Sequence, residues 1–405
     1  MTSISSERAA GQSLAPAYIM ALGTFAIGTE GFMIVPLLPK MGEDLSLPVS
    51  ALGSLVTVFT LTLAITSPLL TILFGRVDRK RLLVLTMAAF ALANLVAWAS
   101  QGYWGIFSAR VLLAMAAGLY TPSANALMGA LVVPEKRGRA LAILNGGLTI
   151  AIAIGLPIGS LVGNALGWRV TFLGVAALSI IAVVALVAKL PRTDGTEMHV
   201  ASVSERLAIV KRPQVFRELV VIFFWALGTY SVWTYIAPYL SQVDGLGPNG
   251  ISAVVSVWGI GAAIGIVLGG TLNDLMGARP VVAASLTLAV SVFLSLIFFA
   301  RSLTPDQAIV PTIIAVAFWG IAIWAFYPAQ IATLIQVGQP AVPIAVSLSM
   351  SFMYLGFAVG SAIGSVVLSR GGVGDLGITG VIGEGIALLI ATYASARIRQ
   401  PRSVT

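Results

Sequence analysis

Residues 17–39 read AYIMALGTFAIGTEGFMIVPLLP, a run with a single ionisable side chain, Glu30. A helix of that length rises about 34 Å at 1.5 Å per residue, enough to cross a hydrocarbon core of about 30 Å. A carboxylate at membrane depth costs several kcal/mol unless it is paired, hydrated or protonated, so chains keep one there mainly when something uses it. Whether this run lies in a bilayer therefore decides both the fold and the meaning of Glu30.

The rest of the chain answers. It has 405 residues, of which 58% are hydrophobic and 9% charged, against about 25% charged in a typical soluble protein. Long apolar runs recur at 17–39, 51–74, 82–100, 104–132, 141–163, 168–189, 217–240, 250–273, 280–300, 308–335, 342–369 and 374–396. Each is long enough to span as a helix, which predicts an all-α polytopic membrane protein with 12 transmembrane helices. The opening MTSISSERAAGQSLAPAY is polar and lacks the short apolar core and cleavage site of a secretory signal, so the first run is expected to be retained.

Several function classes fall away. There is no cysteine, and the one histidine, His199, sits in a polar stretch, so no metal site and no cofactor are expected. No nucleophile–base pairing or phosphate-binding loop stands out, and the Gly-rich segments lie within spans, which argues against an enzyme.

An even number of spans puts both termini on one side. With the termini inside, Arg8, the cluster Arg76/Arg79/Lys80/Arg81, Lys136/Arg137/Arg139, the linker stretch 189–217, Arg279 and the tail Arg397/Arg399/Arg402 face the cytoplasm, 18 of the 23 Lys and Arg. Lys40, Arg169, Arg301 and Arg370 fall outside, and Arg110 lies within a span. The positive-inside rule thus predicts a multi-pass membrane protein with cytoplasmic termini. The same distribution explains the net charge of +8 by basic loops facing anionic lipid, with no need of nucleic acid.

The chain repeats itself. ALGTF at 21–25 returns as ALGTY at 226–230, LYTP ending at Pro122 as AFYP ending at Pro328, and PIGS ending at Ser160 as AVGS ending at Ser361. These offsets predict two six-helix halves, 1–189 and 217–405, joined by a cytoplasmic linker at 190–216 whose SERLAIVKRP portion suits a short surface helix. Six-span repeats are one way to build a midplane solute site between two rocking halves.

The loop GGTLNDLMGARP places Gly270, Leu272, Asp274, Gly277 and Arg279 in a pattern that resembles the loop signature of the major facilitator superfamily. The matching first-half loop, TILFGRVDRKRLL, departs from it, with Gly75 at the usual Asp position and Asp78 three residues later. Arg110 followed by Gly118, the loop PEKRGRA at 134–140 and the fifth-span string GLPIGSLVG at 155–163 also resemble that family. The fifth-span string, and the first-span string ending LLP, are similar to the twelve-span drug:proton antiporter branch, which includes bacterial exporters of sugars, purines and chloramphenicol.

The resemblance implies a secondary transporter that exports a small organic solute in exchange for protons by alternating access. It leaves open a facilitator or proton symporter importing a solute, and at greater distance a receptor that does not transport. It implies a conformational latch at Asp78, Arg79, Asp274 and Arg279, and a helix-packing motif at Gly155, Pro157 and Gly159. The expected partners are solute, protons and membrane lipid, and a monomer is expected.

The residues themselves suggest the coupling site. Glu30 lies nine residues from Pro39 and Arg110 six from Trp104, about 14 Å and about 9 Å along their helices from one surface. A long Arg side chain can close that gap. Burial favours the neutral form of such a carboxyl and a nearby Arg the charged form, a balance that alternating access can tip; a static bridge is the structural alternative. Trp225, Tyr230, Trp233, Tyr235, Trp324 and Tyr327, with Asn125 and Asn145, are candidates to line a pocket for a neutral or aromatic amphipathic solute. Glu384 is a second isolated carboxyl. The resemblance implies a twelfth span that lies away from the cavity, so Glu384 reads as a protonated or interface-facing acid rather than a coupling group.

Overall fold

The computed structural model of the chain describes residues 13–75, 77–190 and 201–398. Arg8, Arg76, His199, Arg399, Arg402 and residues 191–200 of the linker lie outside them.

Twelve helices among the described residues are long and apolar enough to cross a membrane. They are α1 (Ala15–Leu45), α2 (Val49–Leu73), α3 (Arg79–Ala99), α4 (Tyr103–Leu131), α5 (Pro134–Leu166), α6 (Trp168–Lys189), α8 (Pro213–Trp233), α10 (Pro248–Met276), α11 (Ala278–Ser302), α12 (Pro305–Val337), α13 (Val342–Arg370) and α14 (Leu376–Ile398). Two short helices complete the order, α7 (Val203–Val210) in the linker stretch and α9 (Ile236–Gln242) after α8.

Three boundaries differ from the sequence expectation for physical reasons. Helix α1 runs through Pro36 and Pro39 to Leu45, because a proline removes only one ladder bond and its freed carbonyl can be satisfied locally. It ends where Ser46 takes φ 52° and Leu47 N–H turns back to Gly42 O at 3.0 Å. Helix α5 begins at Pro134, seven residues before the apolar run, since Pro at the first position and Glu135 in the first turn both suit a helix start. The seventh span breaks at Thr234–Tyr235: Pro238 cannot donate to Thr234 O and its ring crowds that carbonyl. Gly167 (φ 99°) and Gly277 (φ 81°) turn the chain between α5 and α6 and between α10 and α11, in a region that side chains rarely adopt.

The chain divides into two compact units, Met1–Ile34 with Ile65–Val200, and Val35–Ala64 with Ala201–Thr405. In lipid no hydrophobic drive holds helices together, so close packing relies on small residues and interhelical hydrogen bonds. In the first unit α3 packs on α4 and α6. Helix α1 is fastened to α4 by Tyr120, whose hydroxyl donates to Met20 O at 3.0 Å, and to α5 by Thr24 Oγ1 donating to Leu144 O at 2.7 Å.

In the second unit α10 lies on α12 through Gly261, Gly265 and Gly269. An added Cβ on Gly261 would sit 2.6 Å from Ala317 O, and one on Gly269 2.6 Å from Ala325 Cα. Helix α8 packs on α13 through Gly356, Gly360 and Gly364 and meets α14 at Gly228 and Gly383.

Candidate functional site

In the first unit, α1 carries Glu30 and α4 carries Arg110. The Arg110 guanidinium donates to Glu30 Oε1, and both side chains are fully buried, at 0% exposure. Glu30 Oε2 has no hydrogen-bond partner among the described residues. The extension of α1 to Leu45 puts Glu30 fifteen residues from its helix end and Arg110 seven from Tyr103, about 22 Å against about 10 Å. Helix α1 thus runs past Pro39, and the two side chains meet.

The glycines expected to pack helices closely do so against the helix that bears Glu30. Gly147, Ala151, Gly155 and Gly159 form a stripe on α5 facing Thr24, Gly28, Thr29 and Met33 of α1. A Cβ on Gly159 would lie 2.9 Å from Met33 Cβ, and one on Gly28 2.7 Å from Ala151 Cβ. Pro157 follows a single π turn at Ala151–Gly155, a common way for a helix to absorb a missing ladder donor. Asn125 of α4 and Asn145 of α5 face each other as an amide pair, Asn145 Nδ2 donating to Asn125 Oδ1 at 2.9 Å.

In the second unit the expected aromatic residues separate into two clusters and a seam. Trp225 of α8 stacks on Phe326 (4.7 Å, 22°) and lies 6.2 Å from Tyr327. Tyr230 stacks on Phe357 of α13 (3.6 Å, 18°), Trp324 meets Tyr327, and the Tyr327 hydroxyl donates to Met350 Sδ at 3.3 Å. Trp233 belongs instead to a buried cluster, stacked on Trp258 (3.9 Å, 25°) with Trp319 edge-on to both.

Tyr235 is fully buried and its hydroxyl donates to Ser361 O at 3.0 Å. It marks a seam between α13 and the first part of α2, where Ser361 Oγ donates to Gly53 O at 3.2 Å and Ser365 Oγ to Ser50 O at 2.8 Å. Phe326, Phe357 and Trp258 escape a search for polar or isolated residues. The AFYP string held a clue to Phe326, being adjacent to Tyr327.

The latch candidates sit at helix ends. Asp78 caps α3 by accepting from Arg81 N at 2.8 Å, and buried Arg79 donates to Gly75 O at 3.2 Å. Asp274 is exposed in the last turn of α10. Arg279 opens α11 and lines a small cavity with Glu218, Gln330, Thr333 and Thr392. Glu218 is held there by Gln330 Nε2 at 2.9 Å and Arg217 at 2.8 Å. Outside the spans, Asp244 follows α9, buried, and accepts from Thr312 Oγ1 at 2.9 Å. Burial pushes its carboxyl up to about 6, more than the Thr312 bond pulls it down.

The chain has relatives. The inner membrane transport protein YdhP of Escherichia coli (strain K12) is 30% identical over 390 residues, 96% of this chain and 97% of its own. The chloramphenicol resistance protein of Streptomyces lividans is 28% identical over 380 residues, 93% of this chain and 95% of its own. Among solved structures, the nucleoside transporter NupG, crystallised as a point mutant, superposes with a TM-score of 0.74 at 14% identity, over 95% of this chain and 100% of that one, a likeness of fold alone. Residues 20–250 match the Major Facilitator Superfamily. This multi-pass membrane protein is a transporter rather than an enzyme, and the chain belongs to the Major Facilitator Superfamily.

Proposed function

We propose that the protein exports a small organic solute in exchange for protons by alternating access, and that Glu30 is the coupling carboxyl. The observation that carries this reading is the fully buried Glu30–Arg110 pair, whose Glu30 Oε2 stays unsatisfied. A buried ion pair offset against its own desolvation is poor scaffolding, so its retention favours a working role. Protonating Glu30 removes its charge attraction to Arg110. The glycine stripe of α5 ties that event to helix position, because α1 has no slack against Gly155 and Gly159.

The cluster around Trp225, Tyr230, Trp324 and Tyr327 offers ring faces and carries no charged side chain, which suits a neutral solute with a planar aromatic part. In the first unit, Asn125 and Asn145 form a polar pair that suits hydrogen bonding to a neutral solute. The name of the Streptomyces relative speaks of chloramphenicol resistance, in keeping with efflux of a neutral aromatic compound. With both termini cytoplasmic, the seam of Tyr235, Gly53, Ser361 and Ser365 closes the outer end. Asp78, Arg79, Asp274 and Arg279 latch the inner ends. The working division is 1–189, linker 190–216 and 217–405, as a monomer in lipid.

The test uses purified protein in liposomes loaded with a pH dye under an imposed proton gradient, with amphenicols, purines and sugars added in turn. Proton movement triggered by an aromatic amphenicol and lost in Glu30→Gln supports the reading. Solute flux without proton movement makes the protein a facilitator and reduces the pair to a static bridge.

A further inference from the structure

Glu384 of α14 is a second buried carboxyl, at 0% exposure. Its Oε1 accepts from Thr229 Oγ1 of α8 at 2.9 Å, and its Oε2 has no partner among the described residues. The two helices touch through backbone here. A Cβ added to Gly228 would meet Glu384 N and Gly380 O at 3.0 Å each, and one added to Gly383 would lie 2.6 Å from Gly228 Cα. No side chain separates them at Gly228 and Gly383. Thr379 Oγ1, 2.8 Å from Ser231 Oγ, extends the polar seam by a turn and a half.

The charges on the packed helices sit at their ends. Arg301 closes α11 and pairs with Asp375 at 2.9 Å; Arg370 closes α13; Arg217, Glu218 and Arg279 lie at the opposite end. Glu384 is eight residues into α14, about 12 Å from that helix's start. No described Lys, Arg or His reaches its level on α8, α11, α13 or α14. A bare carboxylate there would lack a counter-ion, and one hydroxyl donor does not offset its lost hydration.

We propose that Glu384 is a second proton-binding site of this transporter, held neutral between α8 and α14, and that release of its proton loosens α8 from α14. On release the carboxyl O–H bond breaks, the proton passes to water and the carboxylate must be hydrated, which requires the Gly228–Gly383 contact to part. The consequence reaches the aromatic cluster directly, since Thr229 adjoins Tyr230 and lies one turn from Trp225 on α8. The inference stands apart from the role given to Glu30, because it concerns a proton that the closed seam keeps whether or not solute moves.

Infrared spectroscopy of the full-length protein in lipid tests it, with Glu30→Gln, Glu384→Gln and Thr229→Val alongside. At neutral pH a protonated carboxylic-acid carbonyl band is expected in the wild type and in Glu30→Gln, is expected to be lost in Glu384→Gln, and is expected to shift to the frequency of a less hydrogen-bonded acid in Thr229→Val. Raising the pH until the band disappears is expected to change tryptophan emission in step, and Glu384→Gln is expected to lose that change. A wild-type spectrum matching Glu384→Gln in this region overturns the proposal, as does loss of the band with no change in emission. If Glu384→Gln fails to fold, the Thr229→Val shift decides, and an unmoved band overturns it. None of these readouts requires transport, so they hold or fail independently of proton exchange at Glu30.

Discussion

Removing either partner of the Glu30–Arg110 pair strands a buried charge, but the two losses differ in kind. Both side chains are fully enclosed, so an unpaired charge costs about 3–5 kcal/mol. After Arg110→Met the stranded group is a carboxyl, which can escape by taking a proton. From an ordinary value of about 4.3, holding that proton at pH 7 costs about 4 kcal/mol at 1.36 kcal/mol per unit, and the cost falls by about 1.4 kcal/mol for each unit of acidification. After Glu30→Gln the stranded group is a guanidinium, which does not deprotonate at accessible pH. Its cost is pH-independent. Unfolding of detergent-solubilised protein between pH 5 and pH 8, followed by tryptophan emission, should show Arg110→Met recovering stability toward acid relative to wild type, with Glu30→Gln running parallel to wild type. The double variant should be more stable than Arg110→Met at high pH, since no charge is left unpaired. A flat pH profile for Arg110→Met, or a double variant worse than both singles, would refute the reasoning.

Other expectations follow from single contacts. Gly155→Val drives methyl groups into Thr29 and should lower stability by about 1–3 kcal/mol, read by the same unfolding assay, while Gly146→Val, open on its Cβ side, should be near neutral. Trp225→Phe keeps a ring in the stack with Phe326 but shrinks it, and should raise the apparent KM for an aromatic solute more than it lowers kcat in the liposome assay. Gly53→Val pushes on the Tyr235 ring. Because the chain has no cysteine, a single Ser365→Cys can report the seam, and its labelling by an impermeant thiol reagent should rise in that background. Asp244, with its carboxyl pushed up to about 6 from 3.8, favours its protonated form in the folded protein. Its stabilising effect is therefore complete below about pH 4 and is lost as pH rises through about 6, so melting temperature should fall over that interval in wild type and stay level in Asp244→Asn.

The spans were legible because lipid demands long apolar runs, and scarcity of charge made Glu30 and Arg110 conspicuous. Their pairing was legible only in outline. Counting from Pro39 assumed that a proline ends a helix, whereas α1 continues to Leu45 and carries its polar end beyond the apolar run. The opposite difference holds for 217–240, read as one span, which breaks before Pro238. The aromatic residues show a deeper limit. Trp225 and Trp233 share α8 eight residues apart and look alike in sequence, yet one stacks on Phe326 and the other on Trp258. Which ring meets which depends on α10, α12 and α13, and nothing local to α8 encodes that.

What the sequence encodes most directly is where backbones touch. A helix in lipid gains little by burying leucine, so glycine positions fix which faces approach: α5 on α1, α12 on α10, α13 and α14 on α8. Two of those contacts flank a buried carboxyl. Gly155 and Gly159 bracket the level of Glu30, and Gly228 and Gly383 press against Glu384. Close backbone contact excludes water and so makes the charge state of each carboxyl depend on how tightly its helices fit. Glu30 has the cation Arg110 beside it, whereas the described partner of Glu384 is the Thr229 hydroxyl. A transporter built this way can sense protons by helix separation, and a variant that widens either glycine contact should alter the proton response of that carboxyl before it alters the other.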